Sequence, residues 1–363
     1  MTTITERNLN FSAGPATLPE PVLRQAQLDL WDISSSGIGI CEHSHRGPVF
    51  EKVITEAVED CRSVGNIPED FEVLFLQGGA TLQFAMLALN FLDDGGIANY
   101  INTGVWTSKA IKEAKKIGDI HIAFDGSITN YDHCPSNKEI DCLAGASYMH
   151  YCSNNTIYGT QFLEGLTCED PVICDMSSDM FSRKIDWEKY SMVYAGAQKN
   201  LGPSGTVLVV VRKTMLEKCP DELPLMLNYR AHAEKGSRLN TPPAFGIYLM
   251  GQVFKWILSE GGLNTIQERN KRKANIIYDA LESSNGFYSL FAKECSRSQM
   301  NISFKTRSTE MDELFLEKAA ERGMSGLKGH RNLGGLRASI YNAFPEEGCE
   351  RFAEFLQSFS SKN

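Results

Sequence analysis

The chain has 363 residues, room for two domains with substantial cores, and its 42% apolar and 22% charged content is that of an ordinary globular enzyme. A net charge of −9 argues against nucleic acid or an anionic membrane as partner, so an anionic ligand has to be held by a local basic cluster. No apolar run is long enough to span a bilayer, and the first eight residues resemble neither a signal peptide nor a transit sequence; a cytoplasmic protein is expected.

The segment through Pro21 is rich in Gly and Pro and reads as an ordered loop. Pro21 to Asp32 has the spacing of a short helix. Phe50 to Val64 has that of a longer one, with Val53, Ile54, Ala57, Val58 and Cys61 on one stripe. Between them, His43 and His45 alternate as chelating residues can. The Arg46 guanidinium beside them repels a cation, and no third ligand stands at a suitable spacing, so the group suits an anion, a phosphate above all, and no metal site is expected.

A strand at Glu72 to Gln77 leads through Gly78-Gly79-Ala80-Thr81 into a helix ending near Leu92. Small residues there let backbone N–H groups close on an anion at the helix start, and Thr81 adds a hydroxyl. The loop is neither the dinucleotide Gly-x-Gly-x-x-Gly nor a Walker loop, and by itself it fits a tight turn equally well. Strands at Gly96 to Asn102 and Ile120 to Phe124 flank a helix from about Trp106 to Ile117. Ala146 to Cys152 and Pro171 to Asp175 continue the alternation, which predicts an α/β fold with a largely parallel sheet and right-handed crossovers.

The chemistry gathers at the next two segments. Pro171-Val172-Ile173-Cys174-Asp175 ends a short apolar strand on a carboxylate, at the strand end where open α/β sheets place ligands. Then Tyr190 to Tyr194 and Thr206 to Val211 read as interior strands around Ala197-Gln198-Lys199-Asn200, the first of them apolar and β-prone, the second buried on both faces. A lysine held there is either a solvated turn residue or an amine whose pKa is lowered by desolvation, free to form a Schiff base with an aldehyde cofactor. With Asp175 one strand earlier, able to pair with a protonated pyridine nitrogen, pyridoxal phosphate is the leading cofactor.

After about Gly262 the pattern becomes that of a smaller α+β unit. A helix from about Leu263 to Leu281 is followed by strands at Phe287 to Phe291 and Asn301 to Lys305. A helix at Met311 to Arg322, a strand at Leu336 to Ile340 and a helix from about Pro345 to Ser360 complete the chain. None of the ten cysteines forms a Cys-x-x-Cys pair, and they read as reduced thiols.

In order along the chain, Asn10 to Pro19, His43 to Gly47, Gly104-Val105-Trp106 and Asn154 to Gly159 join the Asp175 and Lys199 segments. Asn240-Thr241-Pro242-Pro243, Gly329-His330-Arg331 and Gly335 to Ser339 follow. Together they resemble the phosphoserine aminotransferase family, class V pyridoxal-phosphate enzymes of fold type I, over essentially the full length. The resemblance implies a seven-stranded, mostly parallel sheet in a large domain (17–262), a small C-terminal α+β domain (263–363) and an N-terminal arm (1–16) packing on the small domain.

It also implies the roles at the site. Lys199 carries the cofactor and shuttles the proton at Cα, while Asp175 keeps the ring nitrogen protonated. Ala80, Thr81, Thr156 and Gln198 surround the ring and phosphate, and Trp106 stacks on the pyridine. Asn240 and Thr241 reach the phosphate from the neighbouring subunit of a homodimer. Arg337 clamps the α-carboxylate, and His45, Arg46, His330 and Arg331 hold the distal anion. The reaction implied is transamination between L-glutamate and 3-phosphohydroxypyruvate, giving O-phosphoserine and 2-oxoglutarate in serine biosynthesis. Relatives often carry Gly and then Arg or Cys where Ala80 and Thr81 stand, which leaves the side-chain contribution to the phosphate open. Rival readings fit less well. A cysteine desulfurase needs a Cys on a Gly-rich loop near Arg337, a dehydrogenase its glycine fingerprint, and a glyoxylate enzyme no such surplus of basic residues.

Overall fold

The computed structural model describes residues 7–363, so the first six residues of the N-terminal arm lie outside it. A seven-stranded sheet forms its centre, in the order Phe71–Gln77, Thr206–Arg212, Met192–Gly196, Val172–Asp175, Met149–Cys152, Ile97–Asn102, Asp119–Asp125. The four pairings from Met192–Gly196 to Asp119–Asp125 are parallel. Thr206–Arg212 runs antiparallel to both of its neighbours. Chain length explains the reversal: parallel strands need a crossover of a dozen or more residues, and only residues 197–205 separate Gly196 from Thr206. The lysine segment is therefore a tight reversal at one end of the sheet.

Both faces of the sheet are covered. Along Thr206–Arg212, Leu208 and Val210 enter one apolar core while Val207, Val209 and Val211 enter the other. This is the strand alternation expected of a β-branched run buried on both sides. Helices Pro48–Gly65 and Ala244–Ser259 pack together on the first face. The second of these was not legible in the sequence. It is apolar nearly all round, with Ile247, Leu249, Met250, Val253, Phe254 and Ile257 buried, so no single stripe marks it. Close approach between the two helices needs a residue without a side chain, since a Cβ at Gly251 would stand 3.2 Å from the Ala57 methyl.

The C-terminal part builds a third core around an antiparallel sheet of Ser289–Leu290, Asn301–Lys305 and Leu336–Ser339. The strand expected at Phe287 to Phe291 is cut to two residues. The helix expected at Met311 to Arg322 runs from Thr309 to Ala320, because Ser308 caps it by accepting the Met311 N–H at 3.2 Å. The arm is more ordered than a loop: Leu9–Asn10 pairs in parallel with Met324–Ser325, and Leu9 and Phe11 are buried in this third core.

Lys273, on the long helix Gly262–Glu282, is buried without a carboxylate partner. Its amine donates to the carbonyls of Ile340 (3.1 Å), Tyr341 (2.7 Å) and Phe344 (3.1 Å), pinning the turn that follows the Arg337 strand. All ten cysteines are free thiols. Among the described residues no helix is long and apolar enough to cross a membrane.

Candidate active site

The strand Val172–Asp175 is buried throughout and ends on Asp175. The Asp175 Oδ1 accepts the Ser177 N–H at 2.9 Å and the Ser177 hydroxyl at 2.5 Å, and that hydroxyl in turn accepts the Gly196 N–H at 3.0 Å. Ser177 thus ties the carboxylate to the neighbouring strand. The sequence reading passed over it, although a Ser two residues beyond an Asp is a familiar turn signal.

Lys199 follows on the reversal, with the arm close against it. A Cβ at Gly14, where φ is +139°, would stand 3.2 Å from Lys199 Cγ, and the Ala16 N–H donates to the Gln198 carbonyl at 2.9 Å. Burial pushes the Lys199 amine below its ordinary pKa, and the Asp175 charge opposes that shift. Burial likewise raises the Asp175 carboxyl, with Lys199 and Ser177 pulling it back. Each group is the other's nearest compensation for lost water.

Both open into a cavity of about 370 Å³. Trp106 and Thr156 line it together, the indole Nε1 donating to the Thr156 hydroxyl at 3.1 Å. Trp106 starts a helix, Val105–Ala114, that begins hard against the turn at Asn155. A Cβ at Gly104 (φ +154°) would fall 1.9 Å from Asn155 Nδ2, so only glycine fits there. Gly79, Ala80 and Thr81 also line the cavity at the start of helix Ala80–Phe91. No side chain caps that helix; the Leu82 N–H donates to the Gly79 carbonyl at 3.0 Å, which leaves those of Gly79, Ala80 and Thr81 for an anion.

From the C-terminal part come Arg337, on strand Leu336–Ser339, and His330, on the turn ahead of it. Arg337 donates to the Thr156 carbonyl at 2.8 Å, and its buried Nε has no partner. Among the described residues, no ion pair involves Arg337, Arg331 or Arg46. Burial, then the charges of Arg337, Arg331 and Lys109, hold His330 below its usual pKa. Cations placed together without carboxylates are ready for an anionic ligand.

The expected set is not all gathered within one chain. Ala80, Thr81, Trp106, Thr156, Asp175, Gln198, Lys199, His330 and Arg337 line the cavity, as do Ala13, Gly14 and Ser177, to which the sequence reading gave no role at the site. His45 and Arg46 do not; they lie in the loop ahead of helix Pro48–Gly65, Arg46 exposed. The His43 Nε2 is engaged with the Ser36 hydroxyl at 2.9 Å. Arg331 is exposed beside His330, outside the lining. Asn240 and Thr241 are exposed too, Asn240 donating to Gln77 at 3.2 Å.

These residues fit pyridoxal phosphate. The uncapped helix start suits the phosphate, Trp106 offers a flat apolar surface, Asp175 is a buried carboxylate for a ring nitrogen, and Lys199 an amine of depressed pKa for the aldehyde. The partnerless Arg337 Nε remains for a second, substrate anion.

Comparison with known proteins agrees. The family model described as class-V aminotransferase matches residues 8–352. The chain is 46% identical over 358 residues to a phosphoserine aminotransferase of Desulfotalea psychrophila, covering 99% of each chain. It superposes on the phosphoserine aminotransferase structure from Bacillus circulans subsp. alkalophilus with a TM-score of 0.97, 47% identity and 99% of both chains covered. A pyridoxal-phosphate-bound phosphoserine aminotransferase from Trichomonas vaginalis matches at TM-score 0.92 and 35% identity, over 97% of this chain and 100% of that one.

Proposed function

The chain belongs to the class-V aminotransferases, on the phosphoserine aminotransferase branch, and from that premise we propose how its residues carry out the reaction. It is a pyridoxal-phosphate-dependent transaminase that moves the amino group of L-glutamate to 3-phosphohydroxypyruvate, making O-phosphoserine for serine biosynthesis. The observation that carries the reading is the buried Lys199 amine and Asp175 carboxylate lining one cavity with Arg337, whose Nε has no partner.

Pyridoxal phosphate, when bound, supplies an electrophilic aldehyde and an electron sink. Its phosphate would be held by the N–H groups of Gly79, Ala80 and Thr81 with the Thr81 hydroxyl, its ring by Trp106 and Thr156, and its nitrogen by Asp175, with Gln198 beside the lysine. Lys199, uncharged at lower pH than an ordinary lysine, would hold the cofactor covalently and, once released, would carry the proton from the donor's Cα. Arg337, oriented by its bond to the Thr156 carbonyl, binds the α-carboxylate common to every substrate. His330 and Arg331 meet the distal phosphate or γ-carboxylate.

Asn240, Thr241, His45 and Arg46 are exposed or half-buried and outside their own chain's cavity, which supports a homodimer in which one copy completes the other's site. We place the domains at 17–262 and 263–363, the arm (1–16) riding on the second, and the enzyme in the cytoplasm. A glyoxylate enzyme needs one carboxylate clamp, and the surplus of unpaired cations beyond Arg337 speaks against it.

The test is to reduce the purified yellow protein with borohydride and digest it. Cofactor fixed on Lys199, together with O-phosphoserine formed from glutamate and 3-phosphohydroxypyruvate, supports the reading. Cofactor on another lysine, or turnover of glyoxylate but not of the phosphorylated acid, overturns it.

A further inference from the structure

Lys109 belongs to none of the motifs that mark the site. It lies in helix Val105–Ala114, three residues beyond Trp106, and its Nζ stands over the Trp106 ring, 4.7 Å from the centroid. The Lys199 Nζ stands 5.5 Å from the same centroid. Trp106 is thus contacted by two ammonium groups, Lys199 lining the cavity and Lys109 exposed and outside that lining.

No ion pair among the described residues includes Lys109, while its charge is felt by His330 together with those of Arg337 and Arg331. Three cations, Lys109, Arg331 and Arg337, act together on His330, and their mutual repulsion costs free energy in the empty protein. Such an arrangement is relieved when a multiply charged anion arrives.

We propose that Lys109 is a further substrate-binding residue, a cation held over Trp106 that recognises the distal phosphate and favours it over a carboxylate. The inference rests on the function proposed above. Lysine suits the task because it is a compact point charge on a flexible stem, able to follow a phosphate or a γ-carboxylate without fixed fork geometry. A dianion gains more from each added positive charge than a monoanion does, so the residue biases the shared pocket toward the phosphorylated substrate. Because Lys109 is exposed, its contribution is smaller than that of a buried guanidinium and is screened by salt.

The experiment compares Lys109→Met and Lys109→Arg with the parent holoenzyme. Lys109→Met should raise the KM for 3-phosphohydroxypyruvate and the calorimetric Kd of inorganic phosphate about five- to tenfold at low salt. The KM for glutamate should move less than about threefold, and kcat little. Lys109→Arg should recover most of the loss. By NMR, the His330 ring should titrate at higher pH in Lys109→Met, since a repelling charge has gone. Unchanged phosphate binding, or equal losses for phosphate and glutamate with no shift of His330, overturns the inference. Arg337→Ala serves as control. If it too leaves glutamate binding intact, the proposed function fails; if it weakens both substrates while Lys109→Met does nothing, only the role of Lys109 is lost.

Discussion

Asp175→Asn removes one charge from the site and little else. The Ser177 N–H and hydroxyl that bond Asp175 Oδ1 can bond an amide oxygen, and strand Val172–Asp175 stays packed, so the fold should survive. What is lost is the carboxylate that opposes the desolvation of Lys199 and would hold a proton on the ring nitrogen. Removal of one preorganised electrostatic donor in other enzymes costs on the order of 10²–10³ in kcat. The expected loss in the glutamate half-reaction is therefore about 10²–10³-fold, read by stopped-flow absorbance. Cofactor content should stay near the parent's, because the helix start at Ala80 supplies its own affinity for the phosphate. The Lys199 amine should also deprotonate at lower pH than in the parent, since the group that raises its pKa has gone. A half-reaction within tenfold of the parent, with full cofactor, would show that another group keeps the ring protonated.

Other expectations follow from the same geometry. Arg337→Ala should weaken glutamate and O-phosphoserine alike, while His330→Ala should cost O-phosphoserine about tenfold and glutamate less, because only the dianion draws the histidine into its charged form; equal losses would make His330 a loop-positioning residue. Since His330 titrates below its usual value in the free site, phosphate binding takes up a proton, and O-phosphoserine affinity should fall as pH rises through neutrality; a flat profile contradicts this. Mixing inactive Lys199→Ala with inactive Thr241→Arg should regenerate partial activity through mixed dimers, and a sedimenting species that is monomeric while active refutes the shared site. Burial lowers Lys273 from 10.5 to about 8, so between those values the unfolded chain binds more protons than the folded one. Stability relative to Lys273→Met should then rise with pH across that window, by at most about 1.4 kcal/mol per pH unit, and denaturant midpoints showing a constant or shrinking gap contradict the assignment.

Local chemistry pointed to the centre of the candidate site from sequence. A carboxylate ending an apolar strand and a lysine inside a reversal between two interior strands each had a plainer use alone, but together favoured a cofactor site, and Asp175 and Lys199 line one cavity. The strands were legible for the same reason, because β-branched runs such as Val207 to Val211 alternate between two cores. Tertiary structure decided what depends on neighbours distant in sequence. Helix Ala244–Ser259 is apolar nearly all round, so no single stripe betrayed it. The antiparallel turn of Thr206–Arg212 followed from a loop too short to cross over. Ser177 gained its place only when Gly196 came alongside to donate to it. His45 and Arg46 share their chemistry with His330 and Arg331 yet do not line the same chain's cavity. Charge type can be read along a chain; the distance between two charges is set by packing, and across a subunit boundary by a second chain.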